Sequence, residues 1–335
     1  MRKQIQADLS NIADVLRKET LNYKELSESI NEFQEIVSGI HSFRKDGEIE
    51  SLHFDNGMAL GTSYAAMCLK DCMRTKMFVK GIIEAIDTLA SKSMGAIHIL
   101  YAGTGPYATL LLPVLAKYSS ERVKCSLLEV NASTFESMKV VIKECGFEDF
   151  VVEYIHADAT QFEIDNPKSI DILVSETMQR ALDSEQQVPI VMNLLPQLRS
   201  DAILIPEKID VSAVQMRIDW MHATKTGDAF CKQLGSVIEL SRNEIERMTA
   251  GLKHGEQIQF SSKVFTVSSA SLKTHNELSL LTEIQIFDTT WLRTFDSGLT
   301  VPKGVYSFSD DTEKEFKFKM QYVVDGDPGV RIERQ

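Results

Sequence analysis

Apolar residues recur at helical spacing through the first fifty positions. Leu9, Ile12, Leu16 and Leu21 make one stripe, and Leu26, Ile30, Phe33 and Ile36 make a second, with mostly polar residues between them. Side chains at such intervals share one face of a helix, so residues 1–55 read as a helical packing arm that could also close over a ligand. From Ala96 the period changes. AIHILYA is a short apolar run that stops at Gly103-Thr104-Gly105, and a helix-like PYATLLLPVLAKY follows. VKCSLLEV, FVVEYIHAD, IDILVSE and AILIPE read as further strands, separated by helical stretches such as Ser133–Cys145 and QVPIVMNLLPQL. Strands alternating with helices predict a doubly wound parallel sheet over residues 56–206, with all strand C-termini at one ligand-binding edge. After Pro206 the alternation stops. IDVSAVQM, KVFTVSS, LSLLTEIQIF, EFKFKMQYVV and VRIER read as strands whose turns carry Gly, Asp and Pro. Residues 207–335 are therefore expected to form an antiparallel, β-barrel-like module with a helical insertion over about 219–252.

Composition narrows the class. The chain has 335 residues, 43% hydrophobic and 25% charged, which excludes a disordered or collagen-like polymer. No apolar run approaches the roughly 20 residues that span a bilayer, and the charged N-terminus lacks a leader's apolar stretch. A cytoplasmic protein without a membrane partner is expected. Five scattered cysteines (Cys68, Cys72, Cys125, Cys145, Cys231) lack zinc-site spacing, so no metal is expected and reduced thiols are. The 36 basic and 48 acidic side chains give a net charge of −12. That balance disfavours nucleic acid and weakly favours cationic ligands.

Candidate chemistry sits where strands end. Gly103, Thr104 and Gly105 lie at a strand-to-helix junction, where glycine lets backbone approach a ligand and the helix start adds donors. A third glycine of the dinucleotide pattern is replaced by Ala108. Glu129 ends the next strand about 25 residues on, where a carboxylate can accept both hydroxyls of a ribose. Asp158, in HADAT, ends the third strand and can accept from an adenine amino group, or simply cap a helix. An adenosine site of this kind suits NAD or S-adenosylmethionine. The second needs a partner for its amino-acid carboxylate, and Arg74 offers the planar guanidinium fork.

Taken together, these segments resemble the protein arginine methyltransferase family of class I S-adenosylmethionine enzymes. Leu69-Lys70-Asp71-Cys72-Met73-Arg74-Thr75 is similar to the family's L-x-D-x-x-R-T segment, in which the arginine holds the cofactor carboxylate. Gly103-x-Gly105 with Glu129 matches the glycine motif and ribose acid, although Tyr101 stands where the family more often has an acid. Ser175-Glu176-Thr177-Met178, with Glu185 nine residues after Glu176, resembles the double-glutamate loop, and Met178 matches the methionine beside the transferred methyl. The resemblance is good over roughly residues 60–215 and loose over 255–335. It implies a Rossmann-like domain binding S-adenosyl-L-methionine through Arg74, Tyr101, Gly103, Thr104, Gly105, Glu129, Val130, Asp158, Ala159 and Glu176. It also implies a homodimer, built by an arm near the insertion. The family's Thr-His-Trp loop is not found; Thr274-His275-Asn276 comes nearest, and His275 reads as an ordinary loop histidine.

The chemistry agrees with the resemblance. A guanidinium stays protonated far above neutral pH and is a poor nucleophile. Two carboxylates gripping it align one nitrogen with the methyl group and hold the charge elsewhere. The expected activity is N-methylation of a guanidino group, on free arginine, an arginine peptide or a related metabolite, with Glu176, Glu185 and Met178 catalytic. Alternatives are O-, C- or other N-methylation of a small biosynthetic intermediate and a non-catalytic scaffold of the same fold. A nicotinamide-dependent dehydrogenase ranks behind these.

Overall fold

The computed structural model describes residues 2–41, 50–217, 219, 230–250, 259–268, 275–308 and 315–335. The N-terminal stripes form α1 (Arg2–Leu16) and α2 (Tyr23–Ile40). Asn22 caps α2 by accepting from the Lys24 and Glu25 amides, the usual service of a short polar side chain at a helix start. A two-stranded hairpin follows, β1 (Leu52–Phe54) and β2 (Gly57–Ala59), then the short α3 (Thr62–Met67) and the long α4 (Cys72–Lys92).

The parallel sheet is built from β3 (Ile97–Ala102), β4 (Val123–Glu129), β5 (Val151–His156), β6 (Ile172–Ser175) and β7 (Ile203–Ile205). Their spatial order is β5-β4-β3-β6-β7, every neighbour parallel. The connecting helices are α5 (Leu112–Leu115), α6 (Ala132–Cys145) and α7 (Gln187–Leu194). The chain reverses direction of travel at β3, between β4 and β6, and that switch point opens a crevice at the strand C-termini. β3, β4 and β6 are buried nearly throughout, as strands covered on both faces must be.

α1 packs against α2, α4, α5 and α6. Leu9, Ile12, Leu16, Phe33 and Val37 are wholly buried in the same continuous core as the sheet. Lys76 of α4 is buried and donates to Leu16 O at 2.8 Å and Lys18 O at 2.6 Å, satisfying carbonyls at the end of α1.

Beyond Pro206 come β8 (Lys208–Met216), β9 (Cys231–Ser241), β10 (Lys263–Ser268), β11 (Glu277–Phe287), β12 (Thr290–Leu292), β13 (Lys303–Ser307), β14 (Glu315–Val323) and β15 (Gly329–Arg334). They make one antiparallel sheet in the order β12-β11-β8-β9, with β13 also on β11, and a second in the order β10-β14-β15. The described ladders do not close into a barrel. The expected helical insertion is corrected: Cys231–Ser241 is a strand along β8, and among the described residues of that stretch only Arg242–Thr249 is helical. Residues 218, 220–229 and 251–258 lie outside the described residues. The β-branched pair Val237-Ile238 favours extended backbone, and burying Val237, Ile238 and Leu240 against β8 decides the matter.

Gly81 lets α4 approach the first antiparallel sheet. A Cβ there would stand 2.5 Å from Ile286 Cγ2. Among the described residues, no helix is long and apolar enough to cross a membrane, and no His, Cys, Asp and Glu group is arranged to hold a metal ion. The five cysteines are free thiols.

Candidate active site

The crevice at the switch point is lined from β3, β4, the loop after β6, and the segment from Met58 to Thr75, and holds about 880 Å³ of space, part of it open to solvent. β3 delivers Tyr101 to it and then turns at Gly103, φ +76°, and Gly105, φ +62°. These left-handed angles favour glycine, and at Gly103 space demands it too, since a Cβ would lie 2.1 Å from Thr177 Cγ2. The Gly103 amide donates to Leu128 O at 2.9 Å, which fixes the turn against the end of β4.

Glu129 is buried at that end. Its Oε2 accepts from the Gly105 amide at 3.1 Å, and its Oε1 from the Val130 and Asn131 amides at 3.0 and 2.9 Å. Burial raises its pKa and the three amides pull it back. The amides lock the carboxylate in one orientation and leave Oε2 able to accept once more. Thr104, Val130 and Ala159 complete this side of the lining.

Asp71 starts α4, accepting from the Arg74 amide at 3.1 Å. Its other oxygen accepts from Ser297 Oγ at 2.6 Å and the Gly298 amide at 2.9 Å, so the cap also docks onto the C-terminal module. One turn into the helix, Arg74 points into the cavity and forms a buried ion pair through Nη2 with Glu176 Oε2. Burial would lower the Arg74 pKa, but Glu176 overrides this and holds it above its ordinary value.

The loop from Glu176 to Glu185 brings both carboxylates to one wall, 9% and 7% exposed. Glu176 Oε1 is buried and has no hydrogen-bond partner. Burial pushes both carboxyls up to about 7, against the pull of Arg74. Ala181, Leu182 and Ser184 all take left-handed backbone angles, which a side chain adopts only when surroundings compel it. Here they do. Ala181 N–H donates to Thr282 Oγ1 at 2.9 Å, Tyr322 OH to Leu182 O at 2.8 Å, and Lys303 Nζ to Asp183 Oδ2 at 2.5 Å. The antiparallel module thus braces the loop from outside.

The structure gathers Arg74, Tyr101, Gly103, Thr104, Gly105, Glu129, Val130, Ala159, Glu176 and Glu185 around one cavity. Two expected residues are not in its lining. Asp158 caps the following turn: its Oδ1 accepts from the Thr160 amide and hydroxyl, both at 2.8 Å, and its Oδ2 from Gln161 Nε2 at 3.4 Å. Met178 is buried at 2% exposure in the loop. His275 also lies outside the lining; its carbonyl accepts from Gln215 at 3.3 Å, and Thr274 is outside the described residues. α1 and α2 contribute no described residue to the lining, and the expected cover comes instead from Met58, Ala59, Leu60 and Cys68. The two-residue turn of that hairpin is Asp55-Asn56, residue types common in turns, with Gly57 opening the second strand. Burial raises the Cys68 thiol, so it faces the cavity uncharged.

No protein-family model matches the sequence, and no curated protein matches it. Among solved structures, PRMT6 matches with a TM-score of 0.53 at 12% identity, covering 81% of this chain and 98% of that one. A Trypanosoma brucei PRMT1 enzyme–prozyme heterotetrameric complex with AdoHcy matches with a TM-score of 0.47 at 14% identity, covering 80% and 91%. The likeness to PRMT6 shows the fold: a doubly wound parallel sheet followed by an antiparallel β module, as in that protein.

Proposed function

We infer that the protein is an S-adenosylmethionine-dependent N-methyltransferase acting on a guanidino group. One observation carries the inference. Glu176 Oε1 is a buried acceptor with no partner, on the same wall as a second buried carboxylate, in the cavity that also holds Arg74, Gly103 and Glu129. A buried polar atom left unpaired is costly, and a cation with several N–H donors satisfies it.

The residues present fit the cofactor. Arg74 would hold its amino-acid carboxylate and, with five N–H donors, can serve Glu176 as well. The glycine turn admits its backbone-hugging middle, and the open site on Glu129 Oε2 suits a ribose hydroxyl. When bound, the cofactor supplies a sulfonium-activated methyl group. Glu176 and Glu185 would hold the acceptor guanidinium between them, with one nitrogen turned toward that methyl and the positive charge kept on the others. One proton leaves the nitrogen for each methyl added. A carboxylate with a pKa of about 7, such as Glu185, is matched to receive it near neutral pH.

A homodimer and a cytoplasmic location belong to the same reading, tested by light scattering and fractionation. The central test incubates the purified protein with labelled cofactor and free arginine, arginine peptides and a metabolite extract, then reads product masses. Guanidine methylation is expected, with Glu185→Gln lowering turnover by about 10²–10³. Methylation confined to a compound without a guanidine overturns the proposal.

A further inference from the structure

The acceptor side of the cavity is roofed by a segment that the two glutamates do not need for their chemistry. β1 and β2 pair antiparallel, with Phe54 opposite Gly57, and Met58, Ala59 and Leu60 at the far end line the cavity. Three separate parts of the molecule hold this hairpin down. Met58 N–H donates to Ser184 O at 2.8 Å, and Met58 forms a parallel bridge with Glu185 itself. Asn56 Oδ1 accepts from Gln186 Nε2 at 2.7 Å, and Asn56 Nδ2 donates to Thr160 Oγ1 at 3.0 Å in the loop after β5. Gly57, φ +129°, packs so closely that a Cβ would stand 3.0 Å from Ser184 O and 3.1 Å from both Gln186 Cγ and Pro328 Cγ.

The far edge of the roof is fastened as well. Ser184 N–H donates to Pro328 O at 2.7 Å, and Ser184 Oγ donates to Asp327 Oδ1 at 2.7 Å. Polypeptide therefore runs from the loop after β5, across Glu185, to the turn between β14 and β15. Much of the fastening is backbone to backbone, which side-chain rotation does not release. A peptide acceptor needs main chain continuing on both sides of its arginine, hence an open groove beside the glutamates. Here this chain's own hairpin and turn fill the space next to Glu185. What remains beside the glutamates is the space between this roof and the strand ends, lined by Met58, Ala59, Leu60 and Cys68 on one side and by Glu176 and Glu185 on the other, and shared between cofactor and acceptor.

We propose that the β1–β2 hairpin excludes extended chains and makes the acceptor a free guanidino compound of amino-acid size; this rests on the guanidine-methyltransferase reading. The test is calorimetry on the full chain with S-adenosylhomocysteine present, comparing free arginine, agmatine and a capped pentapeptide with a central arginine. At least one free guanidine is expected to bind, with the peptide at least about 50-fold weaker. Peptide binding as tight as that of the free guanidines overturns the roof and leaves the guanidine reading standing. Binding of none of them, with the cofactor product bound, overturns both. Asn56→Ala cuts the ties to Gln186 and Thr160. It is expected to narrow the discrimination at least about fivefold while the melting temperature stays within a few degrees. Thr160→Val loosens the same tie from the other side if Asn56→Ala does not fold. An unchanged ratio in a folded variant overturns the proposal.

Discussion

Glu176 and Glu185 set the acid–base behaviour of the site. Each is buried and titrates near 7 in the folded chain, against about 4.3 when unfolded. A raised carboxyl means the folded state binds more protons than the unfolded state between those values. Their contribution to ligand-free stability is therefore present at low pH and is lost as pH rises from about 4.3 to 7. Catalysis runs the opposite way, because only the ionised pair holds a cation. The ratio kcat/KM for a guanidine is expected to climb with pH through about 7, while the melting temperature without ligand falls over the same window. A rate that falls through that window contradicts these assignments. Gly103 gives a second residue-scale prediction. Gly103→Ala puts a Cβ 2.1 Å from Thr177 Cγ2 at a left-handed φ, so cofactor affinity is expected to drop more than about tenfold in calorimetry. These positions were legible in the sequence because glycines and acids at strand ends have few structural uses. The turn-capping use of Asp158 Oδ1 was not legible, since a strand-end acid and a turn cap look alike until Thr160 is placed beside it.

The loop Glu176–Glu185 behaves as an element without regular structure, shaped by what surrounds it. Three non-glycine residues in left-handed conformation would relax if the bonds from Thr282, Tyr322 and Lys303 were absent. Tyr322→Phe strands the buried Leu182 carbonyl. The expected cost is about 1–3 kcal/mol of stability, with kcat for guanidine methylation falling more than cofactor affinity does. Denaturant titration and cofactor calorimetry together separate the two effects; equal loss of both contradicts a bracing role. Nothing in the local sequence announced this dependence. Thr282 and Tyr322 read as ordinary strand residues, and their importance comes from long-range contact. The strand Cys231–Ser241 escaped for a related reason. Ile238, Ile245 and Met248 mimic helical spacing, and only pairing with β8 reveals the strand.

Across the whole molecule, one core joins the N-terminal helices, the parallel sheet and the antiparallel sheets. The alternation of strand and helix made the parallel sheet readable from the chain alone, since each crossover is local. How the outer parts dock was not readable, because docking depends on single contacts such as Gly81 against Ile286 and Lys76 against the end of α1. Lys76→Met leaves the Leu16 and Lys18 carbonyls without their donor. It is expected to lower stability by about 1–3 kcal/mol and to speed hydrogen exchange in α1 and α2 more than in β3 and β4. Uniform exchange changes contradict the idea that this lysine pins the N-terminal helices.

The bracing of the glutamate loop by Tyr322, Asp327 and Pro328 also sets an order of assembly. During synthesis the parallel sheet emerges first and can fold while the last strands are still inside the ribosome. At that stage the cofactor pocket has its glycine turn and its ribose acid, but the acceptor wall lacks its supports. A chain whose β14 and β15 have not yet docked thus has Gly103, Gly105 and Glu129 in place while the Glu176–Glu185 loop lacks its outer supports. The acceptor wall is complete only once β14 and β15 have docked on the loop.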